Sequence, residues 1–280
     1  MFPVAKLTVY ESLGKKTLLA VLIAATLFLL LILFFLSLDY VEGAKTYIKF
    51  MGIKEAVSKG VNPTINAENS LTEIVIMIES GMAAVLYAIT IFLSLFATND
   101  FIPSMIKKGY VDLILSKPMS RYRVLNERIF GAVFIVAAIV AYITISAWLI
   151  ISFKSGVWHY EFLFSAFMII LVFFILFMEI VFFGLLTGSG MFAVILTVGM
   201  MILSTIFHAD DQMSMVLSDT WMFVYNILYY IIPKTSHMGE MIFNFVSKKE
   251  ISNLTPLYHS LSIAGILYFI NLWIFKRKDF

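Results

Sequence analysis

Residues 99–128 read NDFIPSMIKKGYVDLILSKPMSRYRVLNER, and the understanding of the whole chain turns on them. They form a polar island between two apolar runs, Ile74–Thr98 and Ile129–Phe153. Six cations lie in the island (Lys107, Lys108, Lys117, Arg121, Arg123 and Arg128), opposed by Asp100, Asp112 and Glu127. A helix rises ~1.5 Å per residue, so roughly 17–25 apolar residues cross a hydrocarbon core ~30 Å thick. Each flanking run is long enough, so the island joins two membrane spans on one side of a bilayer.

Four further runs have the same character: Thr17–Leu38, Phe162–Leu186, Met191–Phe207 and Leu257–Phe275. The 280 residues are 61% apolar and only 14% charged, too few charges to solvate the surface of a soluble domain of this size. Unbroken apolar runs lack the alternation of barrel strands, and backbone groups in lipid must be paired within the segment. The expected fold is therefore an all-α integral membrane protein with six transmembrane helices in one domain, 1–280. The first run is too long for a signal-peptide core and reads as an uncleaved span.

Lys and Arg counts on alternate sides set the expected orientation. With the N-terminus inside, twelve of the twenty cations fall on the inner side: Lys6, Lys15, Lys16, the six of the island, and Lys276, Arg277 and Lys278. The eight others are spread over longer outer loops. Both termini are expected in the cytoplasm. The lead-in PVAKLTVYESLGKK places Val4, Leu7, Tyr10 or Glu11, and Leu13 or Gly14 at near-helical spacing, an expected amphipathic interface helix. The first outer segment, Asp39 to about Glu73, reads as a small irregular cap. The link Leu186–Gly190 is short enough to make its two spans antiparallel neighbours. Before the last span, WMFVYNILYYII (Trp221–Ile232) is too short to cross and too apolar to stand in water. With Pro233 ending it and a second weak segment at Met238–Val246, residues 216–246 read as re-entrant or interfacial helices.

Chemical motifs are few. The sequence has no P-loop, no H-E-x-x-H and no G-x-S-x-G pattern. Without cysteine, disulfides and thiolate metal sites are excluded, and a net charge of +2 gives no basic excess for nucleic acid. No metal site is expected. His208, Met213 and Met215 resemble a soft-metal set, but the 16 methionines are spread throughout. Glu79 and Glu179 are the two carboxylates within the spans, and carboxylates in hydrocarbon are costly enough to be candidates for a transport path.

Within the island, Asn99 or Asp100 can cap a helix with Pro103 in its first turn and Ile102, Met105 and Ile106 on an apolar face. Gly109 loosens that turn. Lys117–Pro118 stops the next, since the residue before proline leaves the helical region. Ser120 can then cap the helix leading into the third span. The stretch Lys108-Gly-Tyr-Val-Asp-Leu-Ile-Leu-Ser-Lys-Pro-Met-Ser-Arg121 resembles the KGT-L-(E/D)-L-L-L-(S/T)-x-P-(I/V)-S-R stretch of ABC-2 type permeases, the membrane subunits of type V ABC exporters. The ESLGKK lead-in, the glycine-rich turn between spans four and five and the tail YFINLWIFKRKDF are similar too. Met105, Ile106 and Lys107 depart from it, standing where the family usually has acidic residues.

The resemblance implies a permease subunit in a prokaryotic cytoplasmic (inner) membrane, pairing with a second permease copy. It also implies a separate ABC ATPase subunit that holds the ATP and Mg, this chain binding no cofactor and catalysing no reaction itself. The partner would dock on a coupling helix between TM2 and TM3, at Lys107, Lys108, Gly109, Asp112, Leu113, Leu115, Lys117, Pro118 and Arg121. Trp221, Tyr225, Tyr229 and Pro233 would form an outer gate. A periplasmic or accessory protein would fit members that serve periplasmic assembly. Two other readings stay open: an ion-coupled secondary transporter, and a membrane anchor or scaffold for a partner complex.

Overall fold

The computed structural model describes residues 3–41, 45–50, 53–56, 67–106, 119–207, 219–251 and 253–278. Among them run helices α1 (Pro3–Leu13), α2 (Lys16–Phe35), α3 (Ala67–Thr98), α4 (Phe101–Met105) and α5 (Arg121–Ser155). After a 3-10 turn at Tyr160–Leu163 come α6 (Phe164–Thr187), α7 (Gly190–Phe207), α8 (Asp219–Ile231), α9 (Thr235–Val246) and α10 (Thr255–Arg277). Six of the helical segments are long and apolar enough to cross a membrane: Lys16–Phe34, Thr72–Met105, Arg121–Ser155, Tyr160–Thr187, Gly190–Phe207 and Thr255–Arg277. The protein is a multi-pass membrane protein by that measure.

Two boundaries differ from expectation. The first span stops at Phe35, and Leu36 begins a strand. Strands β1 (Leu36–Val41), β2 (Lys45–Phe50) and β3 (Ile53–Ala56) form an antiparallel meander, with Leu38 opposite Ile48 and Lys49 opposite Lys54. The expected irregular cap is thus partly a small sheet, and the fold is helical with this one addition. The sequence carries the cause: Leu36, Leu38 and Tyr40 alternate with Ser37 and Asp39, a two-residue period that no helix sustains. The second span begins earlier than its apolar run, because α3 extends back to Ala67.

The bundle is organised around α6, which packs against α3, α5, α7, α9 and α10. It has 67% of its most apolar stretch buried, against 17% for α10 at the periphery. Phe173, Ile175, Phe177 and Val181 lie in the main core with Leu86, Leu95, Val140 and Ile151. Asn271 of α10 is buried and donates to the Met178 carbonyl of α6 at 3.0 Å, one polar tie between two apolar helices.

The turn from α6 to α7 rests on the island's first residues. Gly188 caps α6 at φ +70°, in the left-handed region. A Cβ added at Gly190 would stand 2.3 Å from the Asn99 carbonyl oxygen and 2.7 Å from its carbon. Both sides of that contact are backbone, so neither gives way. Gly190→Ala is expected to cost about 1–3 kcal/mol from overpacking, read as a lower thermal midpoint of the purified protein. An unchanged midpoint would show that the turn does not rest on residue 99.

Candidate functional site

At the end of the bundle where α5 begins, three elements meet on one guanidinium. Ser120 caps α5, its hydroxyl accepting from the Arg123 amide at 3.3 Å. Two turns on, Arg128 is fully buried. Its Nε donates to the Phe101 carbonyl of α4 at 3.0 Å, and Nη2 to Ser104 Oγ at 3.0 Å. Nη1 donates to Thr8 Oγ1 at 3.1 Å and to Glu11 Oε2 at 2.7 Å, both on α1. The ring of Phe101 also lies 5.4 Å from the guanidinium carbon. Arginine suits this place because its planar fork spreads donors over several acceptors at once.

The neighbouring Glu127 completes the clamp. Its Oε2 accepts the Val4 amide at 2.7 Å, satisfying a donor in the first turn of α1. Its Oε1 accepts Arg123 Nε at 2.7 Å, one helical turn back. Close approach is possible because Gly131 has no side chain: a Cβ there would lie 2.9 Å from Thr8 Cβ and 3.1 Å from the Ala5 carbonyl. Helix α1 accordingly buries Val4, Ala5, Thr8 and Ser12 against α5 and leaves Leu7, Tyr10 and Leu13 exposed. Of the stripe read from the sequence, Val4 therefore packs on the bundle, while Leu7, Tyr10 and Leu13 point away from it.

Of the predicted docking residues, Arg121 is described and is engaged inside the chain. Its Nη1 donates to the carbonyls of Lys276 and Lys278 at 3.0 and 2.9 Å, closing the C-terminal end of α10. Lys278 reaches the Leu185 carbonyl. Arg121 thus ties the last span to the base of the third. Lys107, Lys108, Gly109, Asp112, Leu113, Leu115, Lys117 and Pro118 lie outside the described residues. The expected helix after Asp100 is present as α4, although Asp100 makes no side-chain cap bond.

The opposite end of the bundle holds the second polar cluster. Glu79 of α3 is fully buried, as is His159, which lies between α5 and α6. His159 Nδ1 meets Glu79 Oε2 at 2.5 Å, and its Nε2 lies 3.2 Å from Glu161 Oε2. Lys248, at φ 56° in the turn after α9, stands 3.6 Å from Glu161 Oε1. Trp148 Nε1 donates to the His159 carbonyl at 2.9 Å, fixing the loop that carries the ring. Burial pushes the His159 imidazole below its ordinary value, more than Glu161 pulls it up, and Lys248 pushes it down further. Glu79 thus has a buried partner, supplied by the turn between α5 and α6.

The predicted gate residues lie along α8 and at its joint with α9. Pro233 is buried there, Tyr225 packs edge-on to Phe207 of α7 at 4.8 Å, and the Lys234 ammonium sits 3.6 Å from the Tyr229 ring centroid. Trp221 is in α8, its side chain outside the described residues. Hydrogen bonds anchor the joint, among them Tyr87 Oη to the Thr235 carbonyl (2.7 Å), the Lys234 amide to Ser260 Oγ (2.9 Å) and the Ser236 amide to Ser204 Oγ (3.3 Å). They come from α3, α10 and α7. The structure does not bring Glu179 to either cluster. It is buried in α6, with Oε2 unpaired among the described residues. No group of three or more His, Asp or Glu suited to a metal occurs among those residues, and His208, Met213 and Met215 fall outside them. No family model matches the chain, and a search of curated proteins finds no match either.

Proposed function

We propose that this chain is the membrane-spanning permease subunit of an ATP-driven ABC exporter. It would couple ATP hydrolysis in a separate nucleotide-binding subunit to movement of a substrate across the membrane, or to periplasmic assembly. The observation that supports this reading is the Arg128 clamp. Helix α4 and the base of α5 flank the 107–118 stretch that carries the family resemblance, and Arg128 binds both of them to α1. A displacement applied between α4 and α5 is then shared by α1, α4 and α5 as one body, as a lever requires. In this reading that end of the bundle is cytoplasmic, in keeping with its lysines and arginines. The α8–α9 joint is the external gate, two copies of the chain pair, and two ATPase subunits dock on them.

The test is co-purification from the native membrane, followed by ATPase assay. The tagged chain is expected to retain a P-loop ATPase, and Asp112→Lys or Leu113→Pro is expected to reduce the amount retained about tenfold, the scale of one interface hot spot. Insertion into the membrane should be unchanged. If wild-type protein retains no ATPase and both variants behave like it, the permease reading fails. The buried Glu79–His159 contact and Glu179 would then favour an ion-coupled transporter.

A further inference from the structure

Where α1 turns into α2, the bundle is incompletely filled. Val9, Ser12 and Leu13 of α1, Leu18 and Leu22 of α2, and Phe134, Ile135, Ala138 and Ile139 of α5 line a groove with a cavity of about 190 Å³ that opens to the side. Ser12 is its one polar side chain, and that hydroxyl already donates to the Val9 carbonyl at 2.7 Å. The wall therefore offers an occupant no hydrogen bond. Leu18 and Leu22 begin the first span, just past Lys15 and Lys16, so the groove opens within hydrocarbon immediately below the headgroups. At that depth the neighbouring medium is acyl chain.

Lys16 lies two residues before Leu18 and is exposed. We infer that the groove is a binding site for one anionic phospholipid, with an acyl chain between α1, α2 and α5 and its phosphate beside Lys16. The lipid supplies the contact that α1 and α2 do not make with each other at the groove. The exposed Leu7, Tyr10 and Leu13 continue the same apolar surface outward. The site does not depend on what drives the protein.

The test is native mass spectrometry of the protein released from nanodiscs containing equal dioleoylphosphatidylglycerol and dioleoylphosphatidylcholine. One phosphatidylglycerol per chain is expected to stay bound. Ala138→Phe, which fills the groove from an exposed position, should abolish retention. Lys16→Gln should reduce phosphatidylglycerol about fivefold relative to phosphatidylcholine, the effect of one cation near an anionic headgroup. Because Lys16 is exposed, that variant remains informative if Ala138→Phe fails to fold. Retention of neither lipid overturns the proposal. So does equal retention of the two lipids by wild type, or retention by Ala138→Phe equal to wild type.

Discussion

Replacing Arg128 with Met is expected to lower stability by about 3 kcal/mol, the low end of what removing one partner of a buried charge pair costs. Methionine keeps most of the apolar bulk, so the loss is chiefly polar. The Phe101 carbonyl, Thr8 and Ser104 lose a donor together, and Glu11 loses its counter-charge. The estimate stays low because the Glu11 side chain is 28% exposed and water can take over part of its solvation. Arg128→Lys should recover a fraction only, since an ammonium cannot span α1 and α4 as the fork does. The distinguishing measurement uses the absence of cysteine from the chain. Ala5 lies on the face of α1 buried against α5, so a cysteine placed there by Ala5→Cys should react slowly with a maleimide, but quickly in the Arg128→Met background. Equal labelling rates with an unchanged thermal midpoint would show that the clamp does not hold α1.

The second large effect is expected at His159. His159→Leu leaves the Glu79 carboxyl fully buried with neither oxygen bonded among the described residues, since Oε1 already has no partner among them. A penalty of about 1–3 kcal/mol follows, the cost of leaving a buried polar group unsatisfied. The double variant Glu79→Leu/His159→Leu removes both polar groups, and it should regain most of the loss. If it is no more stable than the single variant, the pair is not the cause. The pH dependence has a definite sign. Burial places the folded-state value of His159 below its ordinary ~6.5, so below that pH the unfolded chain binds a proton that the folded one refuses. Stability should be full above ~6.5 and decline as pH falls through that value toward the lower folded one. The groups facing the ring are Glu79 from α3, Glu161 from the 3-10 turn and Lys248 from the turn after α9. The double variant should lose this acid-side decline.

Much of the architecture was legible because hydrocarbon leaves a chain few choices. Long apolar runs became helices of nearly the expected extent, Ser120 caps where its position before Arg121 implied, and Pro233 separates α8 from α9. The functional contacts were harder to read because they join residues far apart in sequence. Arg128 counted as one of six cations in a basic loop, and nothing local distinguished it from Arg123, whose side chain is half exposed. A hint was present in Thr8 and Glu11, polar residues three positions apart and so on one side of a helical lead-in. His159 appeared as one of four scattered histidines, but it follows Trp158 at the end of a span whose neighbour carries Glu79. The sheet was missed because Leu36–Leu38 extended an apolar run whose length alone favoured helix.

The clamp also sets an order of events during synthesis. Val4 is separated from Glu127 by 123 positions, and Glu11 from Arg128 by 117. At about 5–20 residues per second, a ribosome takes roughly 6–25 s to make the intervening chain. Throughout that interval α1 has been made but the surface it docks on has not. The first two spans must enter the membrane without it, and α1 waits with the bilayer surface as its one apolar neighbour. Its final position is therefore a record that the third span has been completed and correctly placed.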